Sequence, residues 1–186
     1  AANTVTGATI VGDDLYFRES ATFDVYKSVG GLPSTAEVTD ANGTSFSAAV
    51  AFVPGTTSRM SLHGNGANAT VYSHTGAAGV SAVAINGAVG TFSSANMITI
   101  GDNLYFQGAT TSPRGLFESI AGAAAILVGA YTPPGDDDAL CTVDYTAAAI
   151  SSRLFFVANN GTNGCELWVT DGSATTLVSD VFAGQA

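Results

Sequence analysis

The chain has 186 residues, 46% of them hydrophobic and only 11% charged, with fifteen acidic against five basic side chains and a formal net charge of −10. That composition is globular and excludes a disordered chain, while the acidic balance removes attraction to phosphate backbones and excludes nucleic acid as a partner. No apolar run reaches the about 18 residues that a membrane-spanning helix needs, which sets membrane insertion aside.

The first residues, Ala1-Ala2-Asn3, carry neither an initiator Met nor a basic, apolar leader, so a mature secreted chain is expected, extracellular or at the cell surface. Residues 4–40 then break into TVTGATIV, GDDLYFRES, DVYKSVGG and STAEVTD. Each piece has a β-branched or aromatic centre and a Gly, Asp or Ser boundary, which predicts four short strands in a meander. Residues 46–85 repeat this more weakly as FSAAVAFV, RMSLHG, ATVYSHTG and GVSAVAI. Residues 95–131 repeat it better as ANMITI, GDNLYFQG, GLFESIAG and AAAILVGAY, and residues 141–182 give CTVDYTAAAI, RLFFVANN, ELWVTDG and TTLVSDVF. The string Gly101-Asp102-Asn103-Leu104-Tyr105-Phe106 nearly duplicates Gly12-Asp13-Asp14-Leu15-Tyr16-Phe17.

Registering the units on their second strands aligns Phe17, Leu62, Phe106 and Phe156. Registering on the third strands aligns Tyr26, Tyr72, Phe117 and Trp168, preceded by Val25, Val71, Leu116 and Leu167. Both registrations give a period of about 45 residues, with the last unit stretched by the insertion Thr132 to Asp138. Four strands at this period predict an all-β fold, a single four-bladed β-propeller built from four four-stranded repeats. The small-residue runs Gly7 to Ile10, Ala48 to Ala51 and Ala147 to Ile150 suit innermost strands, and the eight aligned aromatic and leucine residues form the expected repeat core between blades.

Leu154 to Ala158, Gly161-Thr162 and especially Glu166-Leu167-Trp168-Val169-Thr170-Asp171-Gly172-Ser173 resemble the ELWxTDGTxxGT repeat of secreted bacterial propeller-like proteins. The match is clear in the last unit. The other three units keep the aromatic positions and the following glycines Gly30, Gly76 and Gly122. The resemblance implies an extracellular repeat architecture and carries no catalytic residue with it.

Cys141 and Cys165 border loops of the last unit, and an intrachain disulfide between them is expected, with two buried thiols as the alternative. Strands two apart lie nearly 10 Å from each other, so the bond requires the loops to converge. His63 and His74 lack a Cys or carboxylate at ligand spacing and read as strand-end histidines, so no metal site and no cofactor are expected. Asp136-Asp137-Asp138 lacks the alternating spacing that wraps carboxylates around calcium and reads as solvated loop charge. Asn42, Asn68 and Asn160 begin glycosylation sequons, but in a chain this rich in Asn, Gly and Thr they are read as turn residues. Tyr16 and Tyr105 fall on the face opposite Phe17 and Phe106, where packing is the expected role rather than a sugar platform.

With no Ser-centred elbow, zinc-protease helix or phosphate loop in the chain, the expectation is a non-enzymatic extracellular structural or adhesive protein that self-associates into a surface layer or filament. A glycan-binding propeller lectin is the alternative. The acidic surplus brings divalent cations in as further partners. The first unit starts with an inner-type strand and the last ends with an outer one, so ring closure rests on side-chain packing, and the uncharged outer segments AAAILVGA and GVSAVAI are expected to be edges open to pairing with another copy.

Overall fold

The computed structural model describes residues 4–22, 24–29, 35–40, 42–46, 49–54, 59–64, 70–75, 81–84, 92–108, 115–130, 147–159 and 164–180. Apart from turns and short irregular links, these residues are β-strands, with one 3-10 turn at Ile120–Gly122. Strands β1 (Val5–Val11), β2 (Asp14–Glu19), β3 (Val25–Val29) and β4 (Thr35–Glu37) form the first antiparallel sheet. After the two-residue β5 (Thr39–Asp40), strands β6 (Ala49–Pro54), β7 (Arg59–Gly64), β8 (Thr70–Thr75) and β9 (Ser81–Ala84) form the second. The third contains β10 (Phe92–Ile100), β11 (Asn103–Gly108), β12 (Gly115–Ser119) and β13 (Ile126–Ala130), and the fourth β14 (Ala147–Ile150), β15 (Arg153–Asn159), β16 (Cys165–Thr170) and β17 (Thr175–Ser179).

One row of residues crosses each sheet at the same place. It reads Ala8, Phe17, Tyr26, Glu37 in the first sheet and Phe52, Leu62, Tyr72, Ala84 in the second. In the third it reads Met97, Phe106, Phe117, Leu127, and in the fourth Ala147, Phe156, Trp168, Leu177. The aligned pairs of second and third strands therefore face each other directly, and large rings meet: Phe17 stacks on Tyr26 at 5.7 Å and Phe106 on Phe117 at 5.9 Å. Such cross-strand contacts are the unit that holds a hairpin together.

The sheets pack face on face through three apolar clusters. Val11, Tyr16 and Val25 of the first sheet meet Phe46 and Tyr72 on the way into the second. Val71 of the second meets Leu104, Phe106, Phe117 and Ala125 of the third. Tyr105 and Leu116 of the third meet Leu154, Phe156 and Ala158 of the fourth, with Trp168 packed alongside. The second and third sheets use one face for the preceding sheet and the other for the following one, and the first strands also adjoin in the order β1, β6, β10, β14.

Two expectations change here. STAEVTD is one strand in the sequence reading but is split in the structure. The Val38 amide donates to the Val25 carbonyl at 2.8 Å and its side chain enters the first cluster. That bend sends Thr39–Asp40 onward to pair in parallel with Ser81 and Ala82. The proposed open edge in GVSAVAI is accordingly covered at those residues by β5. On β13, the Val128 carbonyl accepts a long bond from the Thr175 hydroxyl at 3.5 Å.

The first hairpin of the first, third and fourth sheets turns through two residues whose leading member has positive φ: Gly12 at 61°, Gly101 at 63° and Ser151 at 55°. A non-glycine residue there meets its own carbonyl oxygen. Ser151→Gly is expected to raise stability by about 0.5–1 kcal/mol in urea unfolding, and a loss would show that the serine side chain holds the turn.

Candidate functional site

Several polar side chains on strands are buried, among them Lys27, His74 and Glu118. Tyr16 is opposite Lys27, and Tyr105 is opposite Glu118, in equivalent positions of β2–β3 and β11–β12. Asp14 and Asn103 occupy equivalent positions two residues earlier in β2 and β11. In the first sheet the Lys27 ammonium donates to Asp14 Oδ2 at 2.9 Å, with both side chains largely buried. In the third, Asn103 donates to Glu118 Oε1 at 3.2 Å and the Tyr105 hydroxyl donates to the same oxygen at 2.6 Å. The duplicated strings thus build equivalent polar corners, the first around a Lys27–Asp14 ion pair and the third around a Glu118 carboxyl held by the neutral donors Asn103 and Tyr105.

Each corner meets the next sheet. The Tyr16 hydroxyl and His74 Nδ1 are hydrogen-bonded at 3.0 Å, both residues buried, with the rings edge to face. At the third-to-fourth interface, Glu118 and Tyr105 lie under Gly172, where an added Cβ would fall 2.8 Å from Glu118 Oε1 and 3.0 Å from the Tyr105 hydroxyl. The Gly172 turn is itself tied: Asp171 Oδ1 accepts from the Ser173 and Ala174 amides at 2.9 Å, and Thr170 Oγ1 accepts from the Gly172 amide at 3.0 Å. Those amide bonds, Ala174 first and Ser173 next, hold the Asp171 carboxyl below its usual range. Glu118 Oε2 is buried without a hydrogen-bond partner.

Of the sequence-stated repeat core, Phe106, Phe117 and Phe156 are buried, and Phe17, Tyr26, Tyr72 and Trp168 half-buried. Trp168 Nε1 donates to the Ala158 carbonyl at 2.9 Å. Leu62 pairs with Tyr72 in register; its side chain is outside the described set. His63 pairs with Val71 and His74 with Met60, so the two histidines share no row. Cys165 begins β16 and is no free thiol; Cys141 and Asp136 to Asp138 lie outside the described residues. Among the described residues no group of three or more His, Cys, Asp or Glu is placed to hold a metal, and no helix is long and apolar enough to cross a membrane.

The sequence reading missed the polar corners. The signal that could have found them is an ionic side chain opposite a tyrosine in strands otherwise filled with apolar residues. Burial first and the Asp14 charge second push the Tyr16 phenol up to about 12. Burial, then the hydrogen bond and charge of Glu118, push Tyr105 well above the ordinary phenol range. An unfolded chain loses these protons first, near pH ~10, so it binds fewer protons than the native state and stability must fall as pH rises from there. Urea midpoints measured upward from neutral pH should decline above about 10, and more shallowly in Tyr16→Phe and Tyr105→Phe. A slope unchanged by both substitutions would assign the alkaline loss to other groups.

No family model matches the chain. No curated protein matches it significantly. Among solved structures, a TolB-like protein from Agrobacterium tumefaciens is similar at 11% identity, over 98% of this chain and 83% of that one, with a TM-score of 0.33. A likeness at that score carries no argument.

Proposed function

We propose that the chain is a non-enzymatic structural or adhesive scaffold of the cell exterior, formed by four consecutive blades of a β-propeller-type array and associating with its own copies. The observation that supports this best is the use of its chemistry-bearing side chains as internal struts. His74 is spent on Tyr16, Lys27 on Asp14, and Glu118 on Tyr105 and Asn103. The ELWVTDGS resemblance and a Cys141–Cys165 disulfide belong to the same extracellular reading. The unreduced protein should be lighter than the reduced one by the two thiol hydrogens in mass spectrometry; equal masses remove the bond.

A second reading, a glycan-binding lectin, is favoured by one feature. The stacked Phe17 and Tyr26 rings are half-exposed, and the carboxylates of Glu37, Asp24 and Glu19 lie close enough to act on the Tyr26 phenol, although one oxygen of each is buried. Aromatic rings beside carboxylates suit sugar faces and hydroxyls. Electron microscopy and a glycan array on the purified protein decide between the two. Ordered assemblies without a glycan signal are expected; saturable glycan binding abolished by Tyr26→Ala would transfer the chain to the lectins.

A further inference from the structure

The three sheet-to-sheet interfaces are built from equivalent residues, and the two ends of the array present one half of that interface each. On the face turned to the following sheet, Val25 is 0%, Val71 1% and Leu116 2% exposed, whereas Leu167, the equivalent residue of the fourth sheet, is 37% exposed. Ile150 on the same face is also exposed, while its counterparts Val11 and Ile100 pack in clusters. On the face turned to the preceding sheet, Leu104 is 2% and Leu154 0% exposed, but the first sheet's equivalent, Leu15, is 40% exposed. Phe17 beside it is half-buried where Phe106 and Phe156 are fully buried.

We propose that the exposed face of the fourth sheet docks on the exposed face of the first sheet in a second copy of this chain, repeating between molecules the contact that already joins the sheets within one. The proposal rests on the reading of the four sheets as consecutive blades. Its occupant follows from the chain itself. A face equivalent to those of Leu104 and Leu154 is what the Leu167 side packs against elsewhere, and each copy offers one at its first sheet. Because donor and acceptor faces differ, the contact is head-to-tail and propagates. It is a face-to-face contact and so differs from strand-edge pairing, for which β5 already occupies the β9 edge at Ser81 and Ala82. Burying apolar side chains drives the association, and the net charge of −10 opposes it at low ionic strength, so added salt strengthens it.

Light scattering from micromolar to millimolar protein, at low and high salt, tests this with two variants. Leu167→Lys blocks the fourth-sheet face and Leu15→Lys the first-sheet face, and unchanged thermal melts certify that both fold. The wild-type mass should climb with concentration, each variant alone should remain at 18.6 kDa, and an equimolar mixture should stop at twice that mass, because only one productive contact is left. Hydrogen exchange of the wild type reads the same faces without substitution: slower exchange in β2, β3 and β16 is expected in the concentrated sample, and unchanged exchange overturns the docking. Assembly that persists in both variants overturns the face while leaving the scaffold reading intact. A wild type of monomeric mass under every condition overturns both the face and self-association, whereas in-chain contact between the first and fourth sheets overturns the face alone.

Discussion

Phe156→Ala is expected to lower the unfolding free energy by about 3–5 kcal/mol. Its ring is fully buried in the cluster that joins the third and fourth sheets, among Tyr105, Leu116, Leu154 and Ala158. It also pairs with Ala147 on one side and Trp168 on the other, so the ring is a contact both along the sheet and between sheets. Removing it leaves a cavity whose walls are strands from two sheets. Each wall is fixed by its own ladder, so collapse is limited and the cavity cost adds to the lost transfer energy. Phe155, one residue away, serves as the control: it points to the opposite face of β15 and is only half-buried. Its truncation should cost visibly less in the same urea titration. Equal losses, or a loss below about 1 kcal/mol at Phe156, would mean that the interface does not carry the stability of the fourth sheet.

Much of this contact was legible in the sequence because strands write their register into period-two alternation. Leu154, Phe156 and Ala158 share one face, and the preceding Val25, Val71, Leu116 and Leu167 announce the other. The aromatic pairs Phe17–Tyr26 and Phe156–Trp168 follow from placing the hairpins at their turns. What the alternation does not encode is which sheet covers which face. The bend at Val38 and the two-residue crossing at Thr39–Asp40 leave no periodic trace, so STAEVTD reads as one strand and the β9 edge as open. The polar corners were hidden for a different reason. Asp13 and Asp14 look alike as turn residues, yet Asp14, two residues before Tyr16, shares the face on which Tyr16 lies opposite Lys27, and that placement depends on the hairpin ending after two residues. His74 likewise gives no sign in its own strand that a tyrosine from the preceding sheet will bond it, because the partner is 58 positions away.

Gly172→Ala is expected to cost about 3 kcal/mol, from two sources. The residue has φ of 89°, where a side chain crowds its own backbone by about 1–2 kcal/mol. Beyond that, the new methyl would fall 2.8 Å from Glu118 Oε1 and 3.1 Å from Oε2. A carboxylate at the end of a flexible side chain could ordinarily swing aside. Here Glu118 is buried, and its Oε1 is held by the Tyr105 hydroxyl at 2.6 Å and by Asn103 at 3.2 Å. Moving it sacrifices a charge-assisted hydrogen bond in a water-poor site, worth about 1.5–3 kcal/mol. Moving the turn instead would pull Asp171 from the Ser173 and Ala174 amides. The two sources can be separated by a double-mutant cycle with Glu118→Ala, which removes two of the three close contacts and leaves the backbone cost and the Tyr105 hydroxyl at 3.0 Å. In that background, where the Tyr105 hydroxyl is released from Glu118 and free to turn, Gly172→Ala should cost clearly less, approaching the backbone share. If the cost is the same with and without Glu118, the turn is not seated on the third sheet, and the glycine of the ELWVTDGS string answers to its own φ alone.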